Sequence, residues 1–314
     1  MKDFFVSFFG ALAAILVLLA LTIGVGSCVM DDTPDVPKGG WLVIELFGDV
    51  LEYDPPGGIL SQIQGGGGGE TLQNILDNLA KAEVDERIEG VIFKVGAGAS
   101  MGAATIEEVH GAIDRVRAAG KPVHAWAESF DAPDYYLLAA CDTIWAPPTA
   151  YIGFTGFTYG SMHLRNALDK LGIEAQLHKI KDYKSAAEMM LRADASAPAK
   201  ENDLWLLEER WDLFTSFLGE RRGLDVAAIE GLMEHAMFQA EEALEGGLID
   251  EMKYWDEVEA ELRGDDDELL TISSAEYAKI SPEDVGLGGK SRIAVVHAQG
   301  TITGRANSVH PLFG

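Results

Sequence analysis

Gly90-Val91-Ile92-Phe93-Lys94-Val95, read with the segments after it, decides the fold. The run is β-branched and aromatic around a single charge and predicts a buried strand. Thr105 to Ala118 follows with the spacing of an amphipathic helix, closed by Gly120, and Pro122-Val123-His124-Ala125-Trp126-Ala127 predicts a second strand. A short helix over Asp134 to Ala140 and a further strand, Thr143-Ile144-Trp145-Ala146, precede Pro147-Pro148. Strands and helices alternating at these intervals predict parallel strands joined by crossover helices, an α/β fold.

Upstream, Trp41-Leu42-Val43-Ile44-Glu45-Leu46-Phe47 predicts the opening strand, ending at Gly48, and Asp54 to Gly58 a turn. Gly65 to Gly69 precedes a helix over Thr71 to Leu79; without a following Gly-Lys-Ser/Thr it predicts a mobile loop and no phosphate cradle. From Phe4 to Met30 no residue is charged, enough for a membrane span of ~20 residues. Lys2 lies before this run and Asp31-Asp32 after it, which places the bulk of the chain outside the cytoplasm. A cleaved signal peptide and a lipoprotein signal at Cys28 are rival readings with the same sidedness; the length of the apolar run favours an uncleaved anchor. Asp31 to Gly40 reads as a linker.

Downstream, Leu164 to Leu171 reads as helix, Glu174 to Ile180 as extended, and Ala199 to Arg221 as a long helix with Trp205 and Trp211 on an apolar face. The chain to about Glu261 reads as helical and acidic, and Gly264 to Glu268 as a solvated charge run. Ile293 to Ile302 then repeats the opening strand: setting Gly300 on Gly48 places Val295 on Val43, Val296 on Ile44 and Ile302 on Val50. The expected organisation is an anchor and linker over 1–38, one α/β domain over 39–285, and the first strand of a second repeat over 290–314.

With 51 acidic against 24 basic residues the net charge is −27, which argues against nucleic acid or an anionic membrane surface as an electrostatic partner. Cys28 and Cys141 are too few and too far apart for a disulfide framework or a zinc site, and no His-Glu-x-x-His or clustered carboxylate motif is present, so neither metal nor cofactor is implied.

Two groups carry candidate chemistry. Gly98-Ala99-Ser100-Met101-Gly102 matches the Gly-x-Ser-x-Gly pattern between a strand and a helix, the setting of an α/β-hydrolase nucleophile. An elbow places its serine directly off the strand, however, whereas four residues separate Ser100 from Val95, so a glycine-rich loop is the simpler reading. Backbone N–H groups of such a loop can also form an oxyanion hole. The second group is Lys184, within Lys179-Ile180-Lys181-Asp182-Tyr183-Lys184-Ser185-Ala186-Ala187-Glu188. A lysine amine titrates near ~10.4 and serves as a base at neutral pH only when desolvated; otherwise Lys184, like Lys179 and Lys181, is a solvated turn residue.

Tyr183-Lys184-Ser185-Ala186-Ala187-Glu188, after Gly153-Phe154-Thr155-Gly156-Phe157, resembles the base-bearing segment of the signal peptide peptidase A (protease IV) family in its long, two-repeat form. Tyr135-Tyr136-Leu137-Leu138-Ala139 with Ile144-Trp145, Leu168-Asp169-Lys170-Leu171-Gly172 and the restart at Ile293 extend the resemblance over most of the chain. It implies two tandem crotonase-like (ClpP-like) halves behind a transmembrane helix, assembled as a tetramer on the inner (cytoplasmic) membrane and degrading signal peptides or other apolar peptides. It further implies Lys184 as general base of a Ser/Lys dyad, with the nucleophile serine expected beyond Gly314 and this chain alone inactive. Ser185 and Glu188 belong to the motif without a catalytic step; Ser185 would hydrogen-bond near the amine or cap the following helix. Where a Ser-Gly-Gly-Tyr-Tyr-type segment would sit, the first half reads Ala132-Pro133-Asp134-Tyr135-Tyr136, and Gly96 to Gly102 is the counterpart of the other half's oxyanion loop. A non-catalytic crotonase-like membrane scaffold and an α/β-hydrolase using Ser100 are the alternatives.

Overall fold

The computed structural model describes residues 34–53, 70–96, 98–263, 267–289 and 293–296. The chain divides into two compact units at Asp35/Val36, and among the described residues all helices and strands belong to the second. The expected anchor over Phe4 to Met30, the glycine run Gly65 to Gly69 and the second repeat beyond Val296 lie outside the described residues. Among the described residues no helix is long and apolar enough to cross a membrane.

The elements run β1 (Gly40–Leu46), α1 (Leu72–Val84), β2 (Ile88–Val95), α2 (Ala103–Ala118), β3 (Val123–Ala127), β4 (Ser129–Asp131), α3 (Ala132–Leu138), β5 (Thr143–Ala146), β6 (Tyr151–Phe154), α4 (Arg165–Lys170), α5 (Glu188–Leu191), α6 (Ala197–Arg222), α7 (Val226–His235), β7 (Ala236–Gln239), α8 (Ala240–Glu245), β8 (Glu251–Met252), α9 (Trp255–Arg263), β9 (Thr271–Ser273) and α10 (Ser274–Tyr277). Six strands form one sheet in the order β8-β5-β3-β2-β1-β9, every neighbouring pair parallel. Because parallel neighbours cannot be joined by a tight hairpin, α1, α2 and α3 carry the chain back between β1, β2, β3 and β5. This is the α/β architecture that the alternation predicts.

The strands are apolar on both faces because both faces are covered. Leu42, Ile44 and Leu46 of β1 enter the main core with Ile75 and Leu79 of α1, while Trp41 and Val43 point the other way and meet Trp255 and Leu262 of α9. Full burial of a side chain such as Ile44 or Phe93 contributes about 1.5–3 kcal/mol. Gly90 is required where it stands: a Cβ there would fall 2.4 Å from the Trp41 ring. Gly120, at φ +84, ends α2 in a left-handed conformation that a glycine adopts without strain.

Four sequence expectations are corrected. Glu174 to Ile180 pairs with no strand, since no sheet edge lies along it. The stretch read as helical up to Glu261 also contains β7 and β8, and β7 joins β4 and β6 in a second, three-stranded sheet. Trp211 packs on the core, but Trp205 is 61% exposed. The order begins inside the expected linker, since Val36 is already buried. Ile293 to Val296 is exposed and pairs with no strand among the described residues.

Candidate active site

From residue 155 to 196 the chain forms a largely exposed arm in which Glu188 is the one buried residue. Its carboxylate accepts from Lys179 Nζ at 2.7 Å, from the Ser196 backbone N–H at 2.9 Å and from Ser196 Oγ at 2.8 Å. Ser196 is in turn the N-cap of α6, its Oγ accepting from Ala199 N–H. The Lys179 ammonium, followed by the Ser196 N–H, holds the Glu188 carboxyl at about 2, well below its ordinary 4.5. Both ends of the Lys179–Ser196 segment are therefore gathered onto one carboxylate and moored to the long helix. Between them, Lys181 adopts φ +65 and reverses the backbone, and Tyr183 donates its hydroxyl to Glu201 of α6 at 2.8 Å.

Lys184 sits at the head of a short 3-10 turn, Ser185–Ala187, on the outside of this moored loop. It is exposed, and its ammonium makes no hydrogen bond or ion pair among the described residues. Ser185 caps neither the turn nor α5, whose N-cap is Ala187. Glu188, carried in the sequence only as a motif member, is the residue that positions the segment. A glutamate opening a helix gives no periodic signal of burial, so its role was not legible in advance.

Ser100 lies elsewhere, at the carboxyl ends of β1 and β2, beside a cavity of about 280 Å³ shared with Gly98, Met101, Asp131, Pro133 and Asp134. The loop Gly98 to Met101 and the start of α3 thus line one cavity. The N–H groups of Ala99, Ser100, Asp131 and Asp134 are occupied. Ser100 N–H donates to Gly48 O at 2.9 Å and Ala99 N–H to Gly96 O at 3.3 Å, while Ser100 O accepts from Val50 N–H. At the start of α3, Asp131 accepts from Asp134 N–H at 3.1 Å and Asp134 from Asp131 N–H at 3.3 Å, a reciprocal capping box. Burial, then the Asp131 charge, raises the Asp134 carboxyl to about 6. No histidine lines the cavity, so the structure gives Ser100 no imidazole base among the described residues. Neither Lys184 nor any other residue of 179–188 reaches it. No group of His, Cys, Asp and Glu side chains capable of holding a metal ion occurs among the described residues.

Residues 115–268 match the sequence model of peptidase family S49. The chain is 29% identical over 274 residues to the chloroplastic serine protease SPPA of Arabidopsis thaliana, covering 85% of this chain and 39% of that protein. It is 26% identical over 246 residues to Protease 4 of Salmonella typhi, covering 74% of this chain and 39% of that one. The chain thus spans about two-fifths of the length of these relatives. Among solved structures it resembles the 1510-N membrane-bound stomatin-specific protease at 14% identity and a TM-score of 0.43, over 75% of this chain and 97% of that one. With its α/β parallel sheet, the chain is thus similar to peptidase family S49 over residues 115–268 and to serine proteases of the SPPA and Protease 4 kind over most of its length.

Proposed function

We propose that this chain is the membrane-anchored, base-bearing half of a serine endopeptidase that degrades cleaved signal peptides and other apolar, extended peptides. Its domain is read as crotonase-like, its location as the inner membrane with the bulk of the chain extracytoplasmic, and its assembly as a tetramer. Lys184 is the general base, and a second repeat supplies the nucleophile serine. The observation that carries this reading is the mooring of Lys179 and Ser196 on buried Glu188, which fixes an exposed, unpaired lysine amine at a defined place on the surface.

In the reaction, the neutral Lys184 Nζ takes the proton of the serine hydroxyl as its Oγ attacks the scissile carbonyl carbon. The tetrahedral intermediate collapses with cleavage of the C–N bond, and the lysine ammonium protonates the departing amine. The Lys184 amine then takes a proton from water as its oxygen attacks the acyl ester carbon, and returns it to the serine Oγ as the ester C–O bond breaks.

The test is turnover of an apolar fluorogenic peptide by the 314-residue chain, alone and with a polypeptide carrying a second repeat. The chain alone is expected to be inactive, and activity on mixing is expected to vanish in Lys184→Ala. Turnover by the chain alone that disappears in Ser100→Ala but survives in Lys184→Ala overturns the reading in favour of a hydrolase using Ser100. A scaffold reading has its own support: Tyr159, Met162, Ile180 and Trp205 are large, apolar and exposed on the arm and α6, as an assembly surface would be. Assembly with no turnover in any combination would leave that reading standing.

A further inference from the structure

A second cavity, of about 260 Å³, lies in the exposed arm, between residues 159–163 on one side and 185–203 on the other. The Leu164 N–H, which donates to Met189 O at 2.7 Å, holds the two sides together. Met162, His163 and Met189 line this cavity, and the proposed chemistry uses none of them. The two methionines are 68% and 40% exposed, so their thioethers are within reach of an ion from solvent. The imidazole is placed differently. His163 Nε2 shares a hydrogen bond of 3.1 Å with Ser161 Oγ, while Nδ1 is buried and has no hydrogen-bond partner among the described residues. A ring nitrogen left buried and unpaired calls for a partner that the chain itself does not provide, a water or an ion. No lysine or arginine lines the cavity. Of its two carboxylates, Glu188 is committed to Lys179 and Ser196, whereas Asp203 makes no hydrogen bond or ion pair among the described residues.

We propose that Met162, His163 and Met189 form a binding site for a soft monovalent metal ion, Cu(I) or its redox-inert counterpart Ag(I), with the His163 Nδ1 nitrogen and the two thioether sulfurs as ligands. The donor set selects the ion. Thioethers are soft, polarisable ligands that favour Cu(I) over the oxygen-preferring divalent ions, and imidazole suits copper as well. Ser161 provides the tautomer: with the Nε2 proton donated to its Oγ, Nδ1 is left as a bare lone pair on a ring already oriented by its other nitrogen. Methionine, unbranched and with three rotatable bonds, adapts the position of its sulfur by rotamer change. Asp203 adds an unpaired negative charge beside the cation. The ligands come from two separate segments and two of the three are methionines, which in a sequence read as packing residues.

The proposal does not depend on the peptidase reading, because binding is measured without turnover. The full chain carrying Cys28→Ser, which leaves buried Cys141 as its one thiol, is purified in detergent and titrated with silver nitrate in chloride-free buffer by isothermal titration calorimetry. One ion per chain is expected to bind. Affinity should fall about tenfold or more in the double variant Met162→Leu, Met189→Leu and in His163→Gln. Met190→Leu, next to Met189 but not lining the cavity, should bind as the parent does. Leucine conserves the volume of methionine at two exposed positions, so the double variant keeps the fold. In the parent, the methyl resonances of Met162 and Met189 should shift with silver and that of Met190 should not. Zinc sulfate should bind about tenfold or more weakly than silver, since Zn(II) takes thiolate, imidazole and carboxylate ligands. No bound silver, affinity unchanged in either ligand variant, an equal loss in Met190→Leu, or zinc bound as tightly as silver overturns the proposal.

Discussion

Removing the Glu188 carboxylate tests whether the lysine segment is positioned from beneath. In Glu188→Ala the Ser196 N–H and hydroxyl lose their acceptor, and Lys179 loses a charge-assisted bond of 2.7 Å. The two Ser196 bonds are worth about 1 kcal/mol each. The bond to Lys179 adds less than a fully buried charged bond, because the lysine is 32% exposed and regains water when released. The sum is about 2–3 kcal/mol, which raises the opening equilibrium of the Lys179–Ser196 segment about 30- to 140-fold. Amide hydrogen exchange of peptides spanning this segment should accelerate by that factor, with exchange in β1 and β2 unchanged. In the assembled enzyme, activity should fall although Glu188 touches no substrate, and Glu188→Gln, which keeps an acceptor oxygen, should recover part of both losses. The sign with pH follows from the low carboxyl pKa: the stabilisation is complete above 4.5 and is lost as pH falls from 4.5 towards about 2. Unchanged exchange in Glu188→Ala, or segment order in the wild type that varies between pH 5 and 8, would refute the mooring.

Lys184→Ala, at an exposed and unpaired site, should alter stability by no more than about 0.5 kcal/mol in chemical denaturation while abolishing peptidase activity of the assembled enzyme; a loss of stability would mean that the residue is structural. Lys81 is buried and donates to Tyr277 O at 2.6 Å and Ile280 O at 3.1 Å, so Lys81→Met should strand two carbonyls, cost about 2–3 kcal/mol and lower Tm by several degrees. His110 is stacked on Phe217 at 4.1 Å, and burial holds its imidazole down at about 4 from 6.5. The unfolded chain therefore takes up this proton before the folded one does, and stability falls as pH drops from 6.5 towards 4. Asp134, raised to about 6, works in the opposite direction, so the test is a comparison: Tm should fall less between pH 7 and 4.5 in His110→Leu than in the wild type, and parallel curves would exclude the effect.

The parts of the fold legible in the sequence were those whose local pattern and tertiary setting agree. β1 and β2 are apolar because both of their faces are covered, and α2 shows its helical spacing because one side meets the sheet. The short strands escaped because pairing defines them. Glu251-Met252 is a strand only through Trp145-Ala146, and Thr271–Ser273 only through Trp41–Val43. Glu174 to Ile180 is the converse, a β-like composition with no edge to join. Trp205 misled for a related reason: a long helix rich in leucine and tryptophan predicts a buried face, but α6 turns its Phe214 and Leu218 to the core and leaves Leu204 and Trp205 outside. Lys184 was picked out in the sequence by resemblance alone. The carboxylate beneath it was not, because its partners lie eight and nine residues away in a segment without regular structure.

The cleft beside Ser100 is poorly built for acyl transfer. Acyl transfer needs unpaired N–H donors aimed at the developing oxyanion. Here Ala99 and Ser100 spend theirs on Gly96 and Gly48, bonds that also tie the loop to the end of β1. The neighbouring helix start, which would otherwise offer positive character, is closed by the Asp131–Asp134 cap. An oxyanion about 4 Å from one of these carboxylates would meet roughly 4 kcal/mol of repulsion at an effective dielectric of 20. That penalty equals or exceeds the ~2.7–4 kcal/mol that one well-placed donor contributes. A serine in this cleft would thus lack an imidazole base, the Ala99 and Ser100 donors and a favourable field at once. Lys184, by contrast, lies on the exposed loop moored on Glu188 and does not line this cleft.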